Sequence, residues 1–217
     1  MISILMPIYN GIEFIEESVS SVLNQTYTEW EIIIAINGHP QNSVVYLTAK
    51  EYENKSSKIR VFDFYTIKGK SNTLNNMIGY CNYDYVAILD VDDIWHKEKL
   101  NIQCKLLNNY DVIGSRCVYF GDKPGIVPQI PIGDISNFNF SLVNPIINSS
   151  AIIKKELCYW NENGIEDYDL WLKLKKQNKK FYNCKEILVK HRIHSESAFN
   201  AKGNYSKVEN LLKGHMG

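Results

Sequence analysis

Three clusters of residues in this chain could do chemistry. In LDVDDIW an apolar run leads straight into three carboxylates, Asp90, Asp92 and Asp93. In an extended backbone Asp90 and Asp92 project to the same side. Two hard oxygen donors so placed suit a divalent cation that also grips a diphosphate. An isolated D-x-D is more often an ordinary acidic loop, so the motif needs company. A second cluster, GIEDYDLWLKLKKQ, opens a helical pattern with Glu166, Asp167 and Asp169 and closes it with Lys173, Lys175 and Lys176. The helix dipole alone favours that polarity. The same dipole would keep Asp167 ionised as a general base for a hydroxyl, while Trp171 would offer a flat apolar platform to a sugar ring. The third cluster, HRIHSES, carries His191 and His194. At i and i+3 of a strand they face opposite sides, so they are not expected to bind one metal together. One of them, with Asp92 and phosphate oxygens, would complete a mixed oxygen and nitrogen site, which Mn²⁺ tolerates better than Mg²⁺.

Positioning these side chains requires a scaffold, and the first half of the chain describes one. Short apolar runs at 2–6, 30–36, 59–64 and 85–90 alternate with helical patterns at 13–24, 43–52 and 71–81, a βαβαβαβ series. The runs at 32–36 and 86–89 are apolar at consecutive positions, as in strands covered by helices on both faces. A doubly wound parallel sheet follows, and its ligands sit beyond the carboxyl ends of the strands. Tyr9 and Asn10, Asn37, and the acidic cluster at 90–93 occupy those ends. Further on, the spacing predicts a helix over 97–108, a strand over 111–120, a loop over the Pro- and Gly-rich segment 121–134, a strand at 150–153, a helix at 167–177 and an extended segment at 187–194.

Composition narrows the partners. Lys plus Arg (24) equals Asp plus Glu (24), so no broad positive field exists to hold nucleic acid, and bound anions must be gripped locally. Five cysteines without a C-x-x-C pair suggest neither a disulfide framework nor a zinc knuckle. The opening MISILMPIYNG lacks the basic region of a signal peptide, and no run approaches a membrane span. A cytoplasmic location is expected.

In their order along the chain, MPIYN, GKSNTLNNMIGYCNYDYVAILDVDDIWHKEKLNIQ, NPIINSSAIIKKE, EDYDLWLKL and VKHRIHSES resemble the family 2 glycosyltransferases of the GT-A fold, from MPIYNG almost to HSESA. The resemblance is in style to transferases of bacteria and large DNA viruses. It implies a Rossmann-like, mostly parallel central sheet with helices on both faces and a mixed acceptor-side half. One GT-A domain would span 1–217, with a nucleotide-sugar-binding half at 1–95, an acceptor half at 96–200 and a tail at 201–217, excised from a longer protein. The implied activity is metal-dependent, inverting transfer of one sugar from a nucleoside-diphosphate sugar to a hydroxyl of a glycan or glycoconjugate. The expected donor is UDP-glucose or a related UDP-hexose or deoxyhexose.

The resemblance also assigns residues. Pro7 and Tyr9, in the opening strand and turn, would line the nucleotide-sugar site, with Tyr9 stacking on the base. Asp90 would contact the ribose or the metal-bound phosphates, and Asp92 would be the main carboxylate ligand of Mn²⁺ or Mg²⁺. Asp167 would be the catalytic base. His194 would approach the metal or diphosphate with Arg192 beside it, and Lys70 and Asn75 would border the donor. Trp95, Ser149, Ser150, Glu166 and Trp171 are expected on the acceptor side. Three positions depart from the pattern: Ile36 and Asn37 stand where paired aspartates usually end the second strand, Leu74 replaces a frequent arginine, and His191 replaces a tyrosine. Asn37 can still accept from a uracil N3–H and donate to a carbonyl.

Other readings fit less well. A sugar-nucleotide nucleotidyltransferase needs a glycine-rich basic loop after the first strand, which MPIYNG lacks, and no G-x-G-x-x-G supports a dehydrogenase. An inactive glycan-binding module would not need Asp90, Asp92, Asp167 and His194 together. Processive synthases usually carry Q-x-x-R-W and membrane helices, and this chain has neither.

Overall fold

A computed structural model of the chain describes residues 1–162, 165–195 and 204–216. Residues 196 and 197 of the HRIHSES motif and the start of the tail at 201–203 lie outside the described residues.

Strands β1 (Ile2–Ile8) and β2 (Trp30–Asn37) are buried at every position, as runs that are apolar at most consecutive positions require, with Ser3 and Glu31 hydrogen-bonded to each other at 2.7 Å. Helix α1 (Ile15–Leu23) joins them, burying Ile15, Val19 and Val22, a spacing that lines one helical face. Then come α2 (Val44–Lys50), β3 (Ile59–Phe64), α3 (Lys70–Met77) and β4 (Tyr85–Ile88). The remaining elements are β5 (Ile94–Trp95), α4 (Lys99–Cys104), β6 (Val112–Gly121), β7 (Gly133–Asp134), β8 (Ile152–Lys154), α5 (Glu166–Lys176), β9 (Phe181–Ile193) and α6 (Asn204–Met216).

The strands form one sheet ordered β3-β2-β1-β4-β8-β6-β9-β5, with β7 also pairing β9. The first four are mutually parallel. Strand β8 runs against both β4 and β6, so β6 and its parallel partner β9 share the direction of β1. Only β5, β7 and β8 are reversed among the described strands. Strand order reverses between β1 and β4, and the carboxyl ends of these two strands define the crevice where ligands bind in such sheets.

Alternate residues of β1 and β2 feed two cores. Ile4, Met6, Ile32 and Ile34 pack with α1, α2 and α4 on one face, and Leu5, Ile33 and Ala35 pack with α3 and α5 on the other. Helix α5 carries Glu166, Asp167 and Asp169 in its first turn and lysines in its last.

Several boundaries differ from expectation. The helix expected at 71–81 is α-helical only to Met77 and continues as a tighter 3-10 turn to Tyr80. The helix at 97–108 is α-helical only over Lys99–Cys104, because beyond it Leu106 and Asn109 make i to i−3 bonds. The strand expected at 150–153 begins at Ile152, behind a 3-10 turn at Asn148–Ser150. The extended segment at 187–194 is the second half of a thirteen-residue strand.

Candidate active site

The carboxylates at 90–93 stand on a turn at the end of β4. Leu89 still donates its N–H to the Leu5 carbonyl, and then the Asp93 N–H returns to the Asp90 carbonyl at 3.0 Å. The backbone is therefore not extended, and the expectation that Asp90 and Asp92 face one side gives way to a division of roles. Asp90 accepts from Lys70 Nζ at 2.6 Å, Asn148 Nδ2 at 2.9 Å and Ser149 Oγ at 3.4 Å. Burial favours its neutral form, but Lys70 outweighs that and holds its pKa below the usual range. Asp90, expected among the metal ligands, is thus a salt-bridged carboxylate beside the turn. Asp92 turns toward His194, whose Nε2 lies 3.1 Å from its Oδ2. Burial, then the charges of Asp93 and Asp90, push the Asp92 pKa up. Asp93 is fully buried and accepts from the Arg192 N–H at 2.9 Å and from His191 Nδ1 at 3.0 Å.

His191 and His194 therefore both reach the acidic turn, contrary to the expected opposite facing. Alternation holds only inside a strand, and β9 ends at Ile193, so His194 is free of it. Burial opposes charge on His191, yet Asp93 lifts its pKa to about 9. Among the described residues no group of three or more His, Cys, Asp or Glu side chains forms a self-sufficient metal site. Asp92 and His194 supply one oxygen and one nitrogen, both side chains about a fifth exposed (19% and 24%). That donor set fits a divalent cation shared with substrate phosphates, and a cation there would relieve the crowding of like charges that raises Asp92.

Lys70 links this turn to α5. Its ammonium sits 2.6 Å from Asp90 Oδ1 and 3.6 Å from Glu166 Oε1. Burial opposes its charge, but Asp90, Glu166 and Asp167 together raise its pKa. Burial, with Glu166 next, raises the Asp167 pKa to about 6, although Lys70 and a hydrogen bond from Asn144 Nδ2 (3.1 Å) pull the other way. A carboxylate tuned so near neutrality suits proton abstraction from a hydroxyl.

On the other side of the crevice Tyr9 is 57% exposed at the end of β1, its ring centroid 5.5 Å from that of His39. His39 Nε2 lies 2.5 Å from the Tyr9 carbonyl. A Cβ on Gly38, whose φ is +75°, would come within 2.8 Å of the Tyr9 ring, so the glycine allows that close approach. Asn37 and Pro7 are buried behind this platform.

Other expected contacts are structural. Trp171 is fully buried in the α5 core, so it offers no face to a sugar. Its place on the α5 stripe beside Leu170 and Leu174 explains that. Trp95 is also buried, its indole N–H donating to the Ser149 carbonyl at 2.7 Å. The buried Ser150 Oγ accepts from the Ser115 N–H and donates to the Ile147 carbonyl. The Asn75 amide holds both the N–H and the carbonyl of Trp160. The Arg192 guanidinium is engaged by the Glu17 carboxylate and the Asp92 carbonyl and lies against the Phe14 and Phe120 rings. Ser149 and Glu166 do lie at the site, through Asp90 and Lys70 respectively.

Asn144 and Asn148 were not singled out from the sequence. The signal was weak: asparagines in a loop normally read as turn formers. The Asn148 Oδ1 is buried with no hydrogen-bond partner among the described residues, while its Nδ2 holds Asp90.

Residues 3–199 match the family described as Glycosyl transferase family 2. A glucosyltransferase of Escherichia coli named UDP-Glc:alpha-D-GlcNAc-diphosphoundecaprenol beta-1,3-glucosyltransferase WfgD is 27% identical, covering 93% of this chain and 81% of its own. An uncharacterized glycosyltransferase of Rickettsia conorii is 29% identical over 98% of this chain, which spans only 37% of that relative. Among solved structures, S. aureus TarS 1–349 in complex with UDP-GlcNAc superposes with a TM-score of 0.79 at 17% identity, over 99% of this chain and 66% of its own. A mannosyltransferase from Pyrobaculum calidifontis in complex with GDP-Man and Mn²⁺ superposes with a TM-score of 0.73 at 14% identity, over 99% of this chain and 62% of its own.

Proposed function

Because the chain belongs to glycosyl transferase family 2, we propose that it moves one sugar from a nucleoside-diphosphate sugar to a hydroxyl of a glycan or glycoconjugate, with inversion at the anomeric carbon. One observation carries this reading. Lys70 ties Asp90, on the crevice of the parallel sheet, to the first turn of α5, where Asp167 has a pKa near 6. A donor site and a base for the acceptor are thereby held in one electrostatic unit.

Tyr9 offers its exposed ring to the nucleobase, and Asp90, fixed by Lys70 and Asn148, faces the ribose and phosphates. Asp92 and His194 would hold Mn²⁺ or Mg²⁺ together with diphosphate oxygens, and the cation would supply neutralisation of the leaving group. Asp167 takes the proton of the acceptor hydroxyl as that oxygen bonds to the anomeric carbon, while the bond from that carbon to the diphosphate oxygen breaks. Asn144 donates to Asp167 Oδ2 and steadies the carboxylate that meets the hydroxyl. Glu166 keeps Lys70 oriented toward the donor side. A uridine donor is supported by WfgD, whose name specifies UDP-Glc, and by the likeness to a TarS complex with UDP-GlcNAc. The metal is supported by the donor set at Asp92 and His194 and by the manganese in the mannosyltransferase complex.

The test is calorimetric titration of a panel of UDP-, GDP- and dTDP-sugars with Mn²⁺ and with EDTA, in wild type and Asp92→Ala. One donor should bind the wild type, more tightly with Mn²⁺, and Asp92→Ala should lose the metal-linked part of the affinity. Equal affinity of Asp92→Ala with Mn²⁺ would refute the metal assignment, and no binding by any nucleotide sugar would sink the reading.

A further inference from the structure

Arg192 is the residue whose surroundings depart furthest from the expected contact with a diphosphate. Its side chain is only 14% exposed. The guanidinium carbon lies 4.3 Å from the ring centroid of Phe14 and 4.3 Å from that of Phe120. Nη2 donates to Glu17 Oε1 at 2.9 Å and Nε donates to the Asp92 carbonyl at 3.0 Å. Its main-chain N–H donates to Asp93 Oδ1. A single side chain thus gathers the 3-10 turn at Ile12–Phe14, helix α1, the end of β6 and the acidic turn.

The chemistry of each contact points the same way. Two aromatic faces fix the plane of a guanidinium, and Glu17 balances its charge. With its plane set and Nη2 anchored on α1, Nε is left aimed at the backbone oxygen of Asp92, the residue whose carboxylate meets His194. Resting on the proposed function above, we propose that Arg192 is a positioning residue: it fixes the Asp92 backbone from behind the turn, and so the direction of the Asp92 carboxylate, and it does not bind the diphosphate. Lysine cannot substitute, because it has neither a planar head to lie against the rings nor an N–H part way along its stem.

The test separates positioning from phosphate binding. Affinities of UDP and GDP are measured in EDTA, and Mn²⁺ affinity is measured at saturating nucleotide by electron paramagnetic resonance, with thermal melting recorded alongside. Arg192→Lys should weaken Mn²⁺ binding by about tenfold, the lower end for outer-shell partners of metal ligands, and leave metal-free nucleotide affinity within about twofold. Glu17→Gln, at a half-exposed surface position, should do the same more weakly with an unchanged melting temperature. A tenfold or larger loss of metal-free nucleotide affinity in Arg192→Lys would show that the arginine grips phosphate, and unchanged Mn²⁺ affinity would show that it positions nothing. If Arg192→Lys does not fold, Glu17→Gln decides, and full Mn²⁺ affinity in that variant overturns the proposal. Absence of nucleotide-linked Mn²⁺ binding in the wild type is a separate result, which removes the metal reading itself.

Discussion

Asp167 shows how an environment makes one carboxylate unlike its neighbours. Burial and the adjacent Glu166 lift its pKa to about 6, while the Lys70 ammonium, 2.6 Å from Asp90 and 3.6 Å from Glu166, holds Asp90 below the usual range. As a base Asp167 must be ionised, so the transfer rate should climb with pH through about 6 and level off above it, as a pH profile of initial rates would show. The linkage sign is the opposite of that for a salt-bridged acid. The folded protein holds this proton more tightly than the unfolded chain does, so stability falls as pH rises from the ordinary carboxylate range through about 6. Asp167→Asn should therefore be more stable at neutral pH, by on the order of 1–3 kcal/mol, and melt higher, while losing roughly 100- to 10,000-fold in transfer and keeping donor affinity. Unchanged turnover in Asp167→Asn would remove it as the base. Asp92, Asp167 and His194 stand out in the sequence only through the order of their motifs, since an acidic loop or a helix dipole would account for the acids of each motif taken alone. The partners Asn144, Asn148 and Glu17 are not, since they act only through contacts made across 23, 58 and 175 positions of chain.

Strand β9 is the element that most shapes the site, and it was only half visible. Its apolar positions are interrupted by Lys185, Glu186 and Lys190, so periodicity marks 187–194 and misses the start at Phe181. The two-residue β5 is too short to leave any pattern of its own. The parallel strands β1, β2 and β4, by contrast, read plainly, because burial on both faces makes most of their consecutive positions apolar. Strand β9 packs against β6 so closely that Gly114 leaves no room for a side chain: an added Cβ would lie 2.3 Å from Asn183 Oδ1 and 2.9 Å from Ile146. Asn183 cannot retreat freely, as its amide donates to the Pro131 and Pro145 carbonyls at 2.8 Å each. Gly114→Ala should cost about 1–3 kcal/mol by overpacking, read as a lower denaturant midpoint with an unchanged slope. A midpoint equal to the wild type would show that the sheet yields there.

Across the molecule the two cores are not equally settled. Lys99 is fully buried in the core shared by α1 and α4, 3.9 Å from the Trp95 ring centroid, and its ammonium has no hydrogen-bond partner among the described residues. Burial pulls its pKa down to about 7. The unfolded chain takes up this proton near the usual lysine value, so folding loses stability as pH falls from that range to about 7. Lys99→Met should raise the melting temperature by roughly 2–8 °C, most clearly at pH 7 and below, and differential scanning calorimetry at pH 7 and pH 10 would expose the difference. The pairing of β6 with β9 carries a second long-range consequence. Between Ser115 and Cys117, β6 advances two residues while β9 runs from Cys184 to Val189, so the partners leave step twice before Tyr119 meets His191. Whether His191 and Arg192 look toward Asp93 is thus decided by how many residues lie in that slack, and a one-residue deletion there would rotate the histidine away from the turn without altering a single residue of the site. The spacing of the slack, more than the identity of its residues, sets the direction in which the histidine points.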